Sequence, residues 1–248
     1  MRTFLPRFSA FYGAASGLLS YHFAGLCGLI LLLSLGTTAF GIAAGLAAAL
    51  VSSNFAGSSI LERIPASALL LLVAYSGLFN DFRLSALILG AALVFTPVIA
   101  AIGERGPNSL LLHTARILGG WLPASIAASS LITLALRDAS SAGLLLVLVY
   151  FHDLGLELCV VGRTRHPSAP FVAIGGSLTL LWTSVQLSVS PISPNQYWVF
   201  ACVLGIAMLL GRSIMQLFAS RVGQQTSLLA SHVVAAPLWT AAMVALNL

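Results

Sequence analysis

Residues 209–229, LLGRSIMQLFASRVGQQTSLL, place a cation inside an apolar run. The run begins as a membrane helix does, yet Arg212 lies within it, and Gln224 and Gln225 follow just past its end. A charged side chain in the centre of a bilayer costs roughly 2.5–3.5 kcal/mol on insertion scales. Arg212 therefore requires a neutralising partner at the same depth, and a helical fold must bring that partner to it.

Composition assigns the chain to the integral membrane proteins. Of its 248 residues, 59% are hydrophobic and 7% are charged, whereas a soluble domain carries about 25% charged residues. All basic charge is arginine, and the formal net charge of +5 indicates membrane topology and not a nucleic-acid partner. The three cysteines, Cys27, Cys159 and Cys202, lie in apolar runs, so neither a disulfide framework nor a metal cluster is expected.

The distribution of apolar runs predicts an all-α fold. A helix needs about 20 apolar residues to cross a bilayer, and the sequence predicts about nine membrane helices in one transmembrane domain over residues 1–248. The predicted spans are 10–33, 35–52, 65–79, 84–102, 113–136, 140–161, 169–187, 196–219 and 226–246. Short polar segments separate them, including ILERIP before the third span and LRDASS before the sixth.

Arginine placement predicts the orientation. With nine spans, the loops on the side of the N-terminus contain most of the arginines: Arg2, Arg7, Arg63, Arg105, Arg163, Arg165 and Arg221, with Arg116 close by. The opposite side has Arg83 and Arg137, each near an aspartate, Asp81 or Asp138. The positive-inside rule then predicts a cytoplasmic N-terminus and an external C-terminus, in a cell membrane such as the bacterial cytoplasmic membrane.

The sixth predicted span holds the acidic groups that Arg212 needs. Its sequence LVLVYFHDLGLELCVVGR contains His152, Asp153 and Glu157, and the two acids lie four residues apart on one helix face. Two carboxylates there repel each other unless a cation or a proton joins them, and Arg212 is the candidate cation. We expect either a structural salt bridge between spans six and eight or a functional polar site at this position.

The other polar groups carry weaker signals. A lone histidine such as His22 is more often hydrogen-bonded in helix packing than a ligand, and no spacing makes His22 and His232 a haem pair. His113 and His166 lie near predicted cytoplasmic ends. Arg163, Arg165 and His166 form a basic loop that could contact a phosphate head group or serve as a topology determinant.

The order of motifs in the second half has a recognisable layout. The segment ALRDASSAGLLLVLVYFHDLGLELCVVGR (135–163) carries Asp153, Gly155, Gly162 and Arg163, and TRHPSAP, AIGGSLTLLW and ISPNQYWVF follow it. This layout resembles the phosphatidate cytidylyltransferases (CDP-diacylglycerol synthases), whose members carry D-x-G-A-Y-x-x-G-R at the end of one span. The resemblance covers about half of the chain. It implies a polytopic helical enzyme that joins CTP and phosphatidic acid with the help of Mg²⁺.

The sequence departs from the family where the chemistry is expected. In the aligned family segment Gly211 and Gly223 are kept, but Arg212 replaces an aspartate. Further replacements fall at Met215, Gln216, Ala219, Ser220, Gln225 and Thr226. The family's P-G-H-G-G loop is absent between TSLLASHVV and AAPLW. A cation at residue 212 repels a metal ion, so we expect the arginine to have taken over the electrostatic role of the ion.

These departures predict a protein without a metal or a cofactor. We expect a non-catalytic, lipid-binding or partner-binding membrane subunit on a cytidylyltransferase-like scaffold. The partners are then membrane lipids, or a membrane protein, with no nucleic acid. One alternative is an active lipid-phosphate cytidylyltransferase, which requires Mg²⁺ and CTP, because phosphoryl transfer depends on positioning and charge neutralisation. The other is a small transporter that uses Asp153, Glu157 and Arg212 as a coupling site.

Overall fold

A computed structural model describes residues 4–12, 19–53, 59–103, 107–161, 164–222 and 231–246, and these residues are almost entirely helical. The helices are α1 Phe4–Tyr12, α2 Leu19–Leu35, α3 Thr37–Ser53, α4 Ile60–Ser76, α5 Phe82–Gly103, α6 Pro107–Arg137, α7 Ala139–Leu158, α8 Ala169–Gln186, α9 Tyr197–Val222 and α10 His232–Ala245. Two short strands, β1 Val160–Val161 and β2 Thr164–Arg165, form an antiparallel hairpin between α7 and α8.

Helix length and hydropathy confirm that this is a helical membrane protein. Among the described residues, five helices are long and apolar enough to cross a membrane: Ile60–Phe79, Phe82–Ile102, Leu110–Arg137, Ala139–Leu158 and Pro194–Leu217. Three shorter apolar helices accompany them, Phe23–Leu35, Thr37–Leu50 and His232–Ala245. The predicted membrane class is thus confirmed, whereas the prediction of nine spans exceeds the five that length and hydropathy support.

The predicted start of the third span is wrong. Helix α4 begins at Ile60, ahead of the predicted start at residue 65, so ILERIP is helical and Pro65 lies inside the helix. The reason is burial: Glu62, expected in a loop, turns into the interior and is 1% exposed. The first predicted span, 10–33, includes residues of α1, which contacts α8, α9 and β2, and of α2, which packs on α3 and α7. Residues 13–18 of that span lie outside the described residues.

Of the three apolar clusters that hold the described helices together, α6 contributes to the two larger ones. One core surrounds Trp239, Phe200 and Leu145 and includes residues of α3 and α6 to α10. The other surrounds Trp121 and Ile117, where α6 packs on α4 and α5. Helix α6 is the longest described helix, with 31 residues, and it therefore connects the two halves of the helix bundle.

Helices α7 and α8 approach each other closely at a glycine. A Cβ placed on Gly155 would lie 2.8 Å from Cα of Ala173, which is closer than carbon atoms approach without a shift of the backbone. Small residues at such crossings let two membrane helices come together. Gly155 therefore fixes the position of α7, and with it the position of the polar side chains next to it.

Helix caps close the turns that precede α5 and α7. The carboxylate of Asp138 accepts hydrogen bonds from the backbone N–H groups of Ser140 and Ser141, at the start of α7. Asp81 accepts in the same way from Arg83 at the start of α5. The aspartates near Arg83 and Arg137 thus cap helices. Arg137 itself donates from Nε to Oδ1 of Asn80, over 3.1 Å.

Candidate functional site

The partner that Arg212 requires is Asp153. Nη1 of Arg212, on α9, lies 2.8 Å from Oδ1 of Asp153, on α7. Both residues are buried, with exposed fractions of 4% and 9%. Each charge thus has its counter-charge at hydrogen-bonding distance, and removing either one would leave an uncompensated buried charge. The sequence expectation of a cation beside this carboxylate is what the structure shows.

Arg212 also reaches the end of α1. Its Nε donates to the backbone carbonyl of Tyr12 over 2.8 Å, and its guanidinium lies 5.9 Å from the centroid of the Tyr12 ring. Tyr12 lies in α1. The guanidinium therefore satisfies a buried carbonyl while it neutralises Asp153.

A third segment joins the carboxylate just before α10. The Ser231 hydroxyl donates to Oδ1 of Asp153 over 2.8 Å, and Nη1 of Arg212 lies 3.3 Å from Oγ of Ser231. Ser231 is fully buried. One carboxylate oxygen thus accepts from donors on two different segments, which ties α7, α9 and the start of α10 together.

His152 contacts both Asp153 and Tyr12. Its Nδ1 lies 3.1 Å from Oδ1 of Asp153, and its Nε2 lies 2.8 Å from Oη of Tyr12. Oη of Tyr12 is also 3.1 Å from the backbone carbonyl of Met208 on α9. His152 and Tyr12 are both 0% exposed. We call Tyr12, His152, Asp153, Arg212 and Ser231 the buried polar cluster.

Glu157 is the second acidic residue of α7. It lies one helical turn beyond Asp153 and is half-buried. The ion pair found at 2.8 Å joins Arg212 to Asp153. The expectation that Arg212 serves both carboxylates therefore stays a prediction for Glu157.

The predicted phosphate-contacting loop is described only in part. Arg163 lies outside the described residues, and Arg165 is in β2, paired with Val160, with its side chain not described. His166 is exposed, and its ring Nδ1 lies 2.6 Å from Oγ of Ser168. The backbone carbonyl of His166 accepts from Oγ of Ser9 over 2.7 Å. This loop is thereby fastened to α1, the helix that contributes Tyr12 to the site.

The remaining predicted histidines lie elsewhere. His22 is within α2, with its side chain outside the description, and His232 is the first residue of α10. The structure adds a pair that sequence reasoning missed: Nε2 of His113 lies 3.3 Å from Oε2 of the buried Glu62. The helical spacing of Ile60, Leu61 and Ile64 around Glu62 was the available signal, since it continues the apolar pattern of α4.

No feature of the sequence indicated that Tyr12 and Ser231 belong to the buried polar cluster. They meet residues 140 and 78 positions away along the chain, His152 and Asp153 respectively. A tyrosine and a serine in apolar surroundings are common, and no local spacing distinguishes these two. Their roles depend on the tertiary packing alone.

The polar cluster does not have the donor set of a magnesium site. Mg²⁺ requires oxygen ligands with free lone pairs, chiefly carboxylates. In the part of the chain that the structure describes, no three His, Cys, Asp or Glu side chains converge as possible metal ligands. Oδ1 of Asp153 already receives bonds from Arg212 and Ser231, and the adjacent guanidinium repels a cation. The residues present do not fit the ion that the family resemblance implies.

A cavity of about 440 Å³ lies near the other end of α10. Residues of α4, α5, α6 and α10 line it, among them Val73, Phe82, Leu89, Ile126, Thr133 and Thr240. The Thr133 hydroxyl donates to the carbonyl of Gly77 over 3.3 Å, and that of Thr240 to the carbonyl of Ala236 over 2.8 Å. These hydroxyl hydrogens are used within the protein, so the cavity presents a mainly apolar wall.

Comparison with family models, with curated proteins and with solved structures finds no match to this chain. The class of this protein therefore rests on its fold and its site alone. It is a helical membrane protein with a buried, charge-paired polar cluster at one end of α10 and an apolar cavity near the other.

Proposed function

We propose that this chain is a non-catalytic, lipid-binding membrane protein on a cytidylyltransferase-like arrangement of about nine membrane helices. The observation that carries the proposal is the bond of 2.8 Å between Arg212 and Asp153. In an enzyme of the resembling family, a carboxylate at this depth would be available to a divalent ion. Here the guanidinium supplies the neutralising charge, so the carboxylate supports the fold.

The cavity supports a lipid as the ligand. Its volume of about 440 Å³ falls within the range of about 300–1,000 Å³ that is typical of ligand sites. Phe82, Ala86 and Ala241 line it and are also exposed on the outer surface of the helices. A hydrocarbon chain entering from the bilayer would meet apolar side chains at this rim and would lose no hydrogen bonds.

Photocrosslinking with a phospholipid that carries a diazirine in its acyl chain tests this role. Ala86 and Ala101 are both exposed on α5, and of the two Ala86 lines the cavity. We expect Ala86→Phe to lower crosslinking to α4, α6 and α10 severalfold, because the ring fills the entrance. Ala101→Phe adds the same bulk away from the cavity and should leave crosslinking unchanged. Equal crosslinking in both variants would refute the lipid site.

An active CTP-dependent lipid-phosphate cytidylyltransferase is the alternative that the resemblance implies. It predicts that Mg²⁺ and CTP together raise the unfolding temperature of the purified protein, because a ligand that binds only the folded state stabilises it. The non-catalytic proposal predicts no change. Formation of a CDP-lipid from phosphatidic acid would decide for the enzyme.

A small transporter is favoured by one observation, the burial of ionisable groups within the membrane helices, which often marks a coupling site. Uptake into proteoliposomes distinguishes this candidate. A proton gradient should drive accumulation of a solute if Asp153 is a coupling residue, and the lipid-binding proposal predicts none. A partner-binding subunit would instead copurify with a stoichiometric membrane protein.

The proposed location is a cell membrane, with the N-terminus cytoplasmic and the C-terminus outside. The arginine-rich loops support this orientation, since the positive-inside rule places them in the cytoplasm. The buried polar cluster would then lie towards the cytoplasmic end of α10, and the cavity towards the outer end.

A further inference from the structure

The wall of the cavity becomes more polar towards the turn that joins α4 to α5. On α6 the lining begins at Ile126 and continues with three hydroxyl side chains, Ser129, Ser130 and Thr133. The Thr133 hydroxyl donates to the carbonyl of Gly77, in the turn that follows α4. The apolar part of the α6 wall therefore lies deeper in the helix bundle, and its hydroxyl groups lie next to the turn.

This end of the cavity lies where three membrane helices have their boundaries. The apolar helices Ile60–Phe79 and Leu110–Arg137 end here, and Phe82–Ile102 begins here. Helices of this length match the hydrocarbon core of a bilayer, so their ends lie near the lipid head groups. A phospholipid with an acyl chain in the cavity would have its phosphate at this level.

Arg137 lies at the rim of the cavity, at the same level. Ser130, Thr133 and Arg137 have the spacing i, i+3 and i+7, which places them on one face of α6. Cζ of Arg137 is 5.9 Å from the ring centroid of Phe82, which lines the cavity. Its Nε donates to Oδ1 of Asn80 over 3.1 Å. Because this acceptor is a neutral amide, the bond orients the guanidinium without neutralising its charge.

The carboxylates at this end are engaged by helix termini. Asp81 and Asp138 accept from backbone N–H groups at the starts of α5 and α7, where the partial positive charge of the helix stabilises an anion. Arg137 is exposed, and within the described part of the chain no ion pair includes it. A guanidinium can bind a phosphate through two parallel N–H bonds. An anionic group therefore fits this rim.

We propose that the cavity binds a phospholipid with a net negative head group, with the acyl chain among the apolar residues and the phosphate on Arg137. The inference rests on the proposed lipid-binding role and adds the class of lipid. In a zwitterionic head group, a cationic amine offsets part of the attraction between phosphate and guanidinium. One arginine at the head-group level should therefore favour the anionic lipid about fivefold.

Crosslinking with two lipids that differ only in head group tests the proposal. Phosphatidylglycerol and phosphatidylcholine with the same diazirine acyl chain are each added in trace amount to the protein in phosphatidylcholine nanodiscs. Mass spectrometry measures the labelling of peptides from α4, α6 and α10, and the part of the labelling that Ala86→Phe removes is assigned to the cavity. We expect phosphatidylglycerol to label the cavity about fivefold more. Equal labelling of the native protein would overturn the proposal without any further variant.

Arg137→Gln tests the contact itself. It should abolish the preference for phosphatidylglycerol and leave labelling by phosphatidylcholine unchanged, whereas Arg137→Lys keeps the charge and should keep most of the preference. Arg83→Gln is the matched control, because Arg83 is exposed at the same end but is not among the lining residues of α5, which are Phe82, Ser85, Ala86 and Leu89. A preference that persists in Arg137→Gln, or that is lost equally in Arg83→Gln, would exclude Arg137 as the contact.

The same measurements separate this proposal from the lipid-binding role. If Ala86→Phe lowers labelling by both lipids and the two lipids label the native protein equally, the lipid site stands and its anionic preference is refuted. If Ala86→Phe changes labelling by neither lipid, the lipid-binding role fails, and the proposal fails with it.

Discussion

Arg212 and Asp153 form a buried ion pair across 59 residues of sequence, with 2.8 Å between Nη1 and Oδ1. The pair joins α9 to α7. The same guanidinium bonds the carbonyl of Tyr12 at the end of α1, and the same carboxylate bonds Ser231 before α10. One charge pair thereby fastens four segments of the chain at one end of the helix bundle.

Replacing the cation should destabilise the protein strongly. Arg212→Ala leaves the Asp153 carboxylate buried without a counter-charge, and breaking such a pair typically costs about 3–5 kcal/mol. We expect a large drop in the temperature at which half of the detergent-solubilised protein is lost from its size-exclusion peak. Arg83 is exposed, so Arg83→Ala is the control and should change stability by less than about 0.5 kcal/mol.

Removing the negative charges should relieve that defect. Adding Asp153→Asn and Glu157→Gln to Arg212→Ala leaves no uncompensated carboxylate, while the amides keep much of the hydrogen-bonding shape. We expect the triple variant to be more stable than Arg212→Ala alone. If Arg212→Ala has normal expression and thermal stability, the idea that Arg212 replaces a bound ion is wrong.

The crossing of α7 and α8 should not tolerate a methyl group. Gly155→Ala would place a Cβ 2.8 Å from Cα of Ala173, and overpacking of this kind costs typically about 1–3 kcal/mol. A Cβ added to Gly175 on α8 would meet no atom within 4 Å, so Gly175→Ala should be neutral or slightly stabilising. Thermal unfolding of the two variants side by side measures the difference, and equal stabilities would contradict the close approach.

The cap of α7 should be measurable separately from the polar cluster. Asp138→Ala removes the acceptor for the N–H groups of Ser140 and Ser141, and loss of such a cap costs typically about 1 kcal/mol. Asp138→Ser can keep the capping bond and should recover most of the loss. Both changes should appear in thermal unfolding, with no effect on lipid crosslinking. A full-size loss in Asp138→Ser would show that charge, and not capping, matters.

The proposed orientation predicts which turns are labelled from outside the cell. Single cysteines at Asn80, in the turn before α5, and at Ser168, before α8, can be placed in a chain whose three native cysteines are replaced by alanine. A membrane-impermeant maleimide added to intact cells should label residue 80 and spare residue 168. The reverse pattern would invert the topology.

The sequence predicted a good part of the fold, for physical reasons. Apolar runs and short polar breaks located the helices, since backbone groups in lipid must be satisfied within a helix. The sequence also predicted that Arg212 needs an acid and pointed to Asp153 and Glu157, because few acids lie in apolar surroundings. The start of α4 was predicted wrongly because charged residues can be buried by tertiary packing. In the sequence, Glu62 and Arg63 are typical of a loop, but in the tertiary structure Glu62 is buried.

By itself, the sequence determined the membrane class, the approximate helix positions and the demand for a charge partner, since these follow from hydropathy and from the cost of a buried ion. Only the tertiary structure decided that Tyr12 and Ser231 complete the cluster and that α4, α5, α6 and α10 enclose a cavity. Contacts between residues 78 and 140 positions apart depend on how whole helices pack. The spacing of residues along the sequence does not predict that packing.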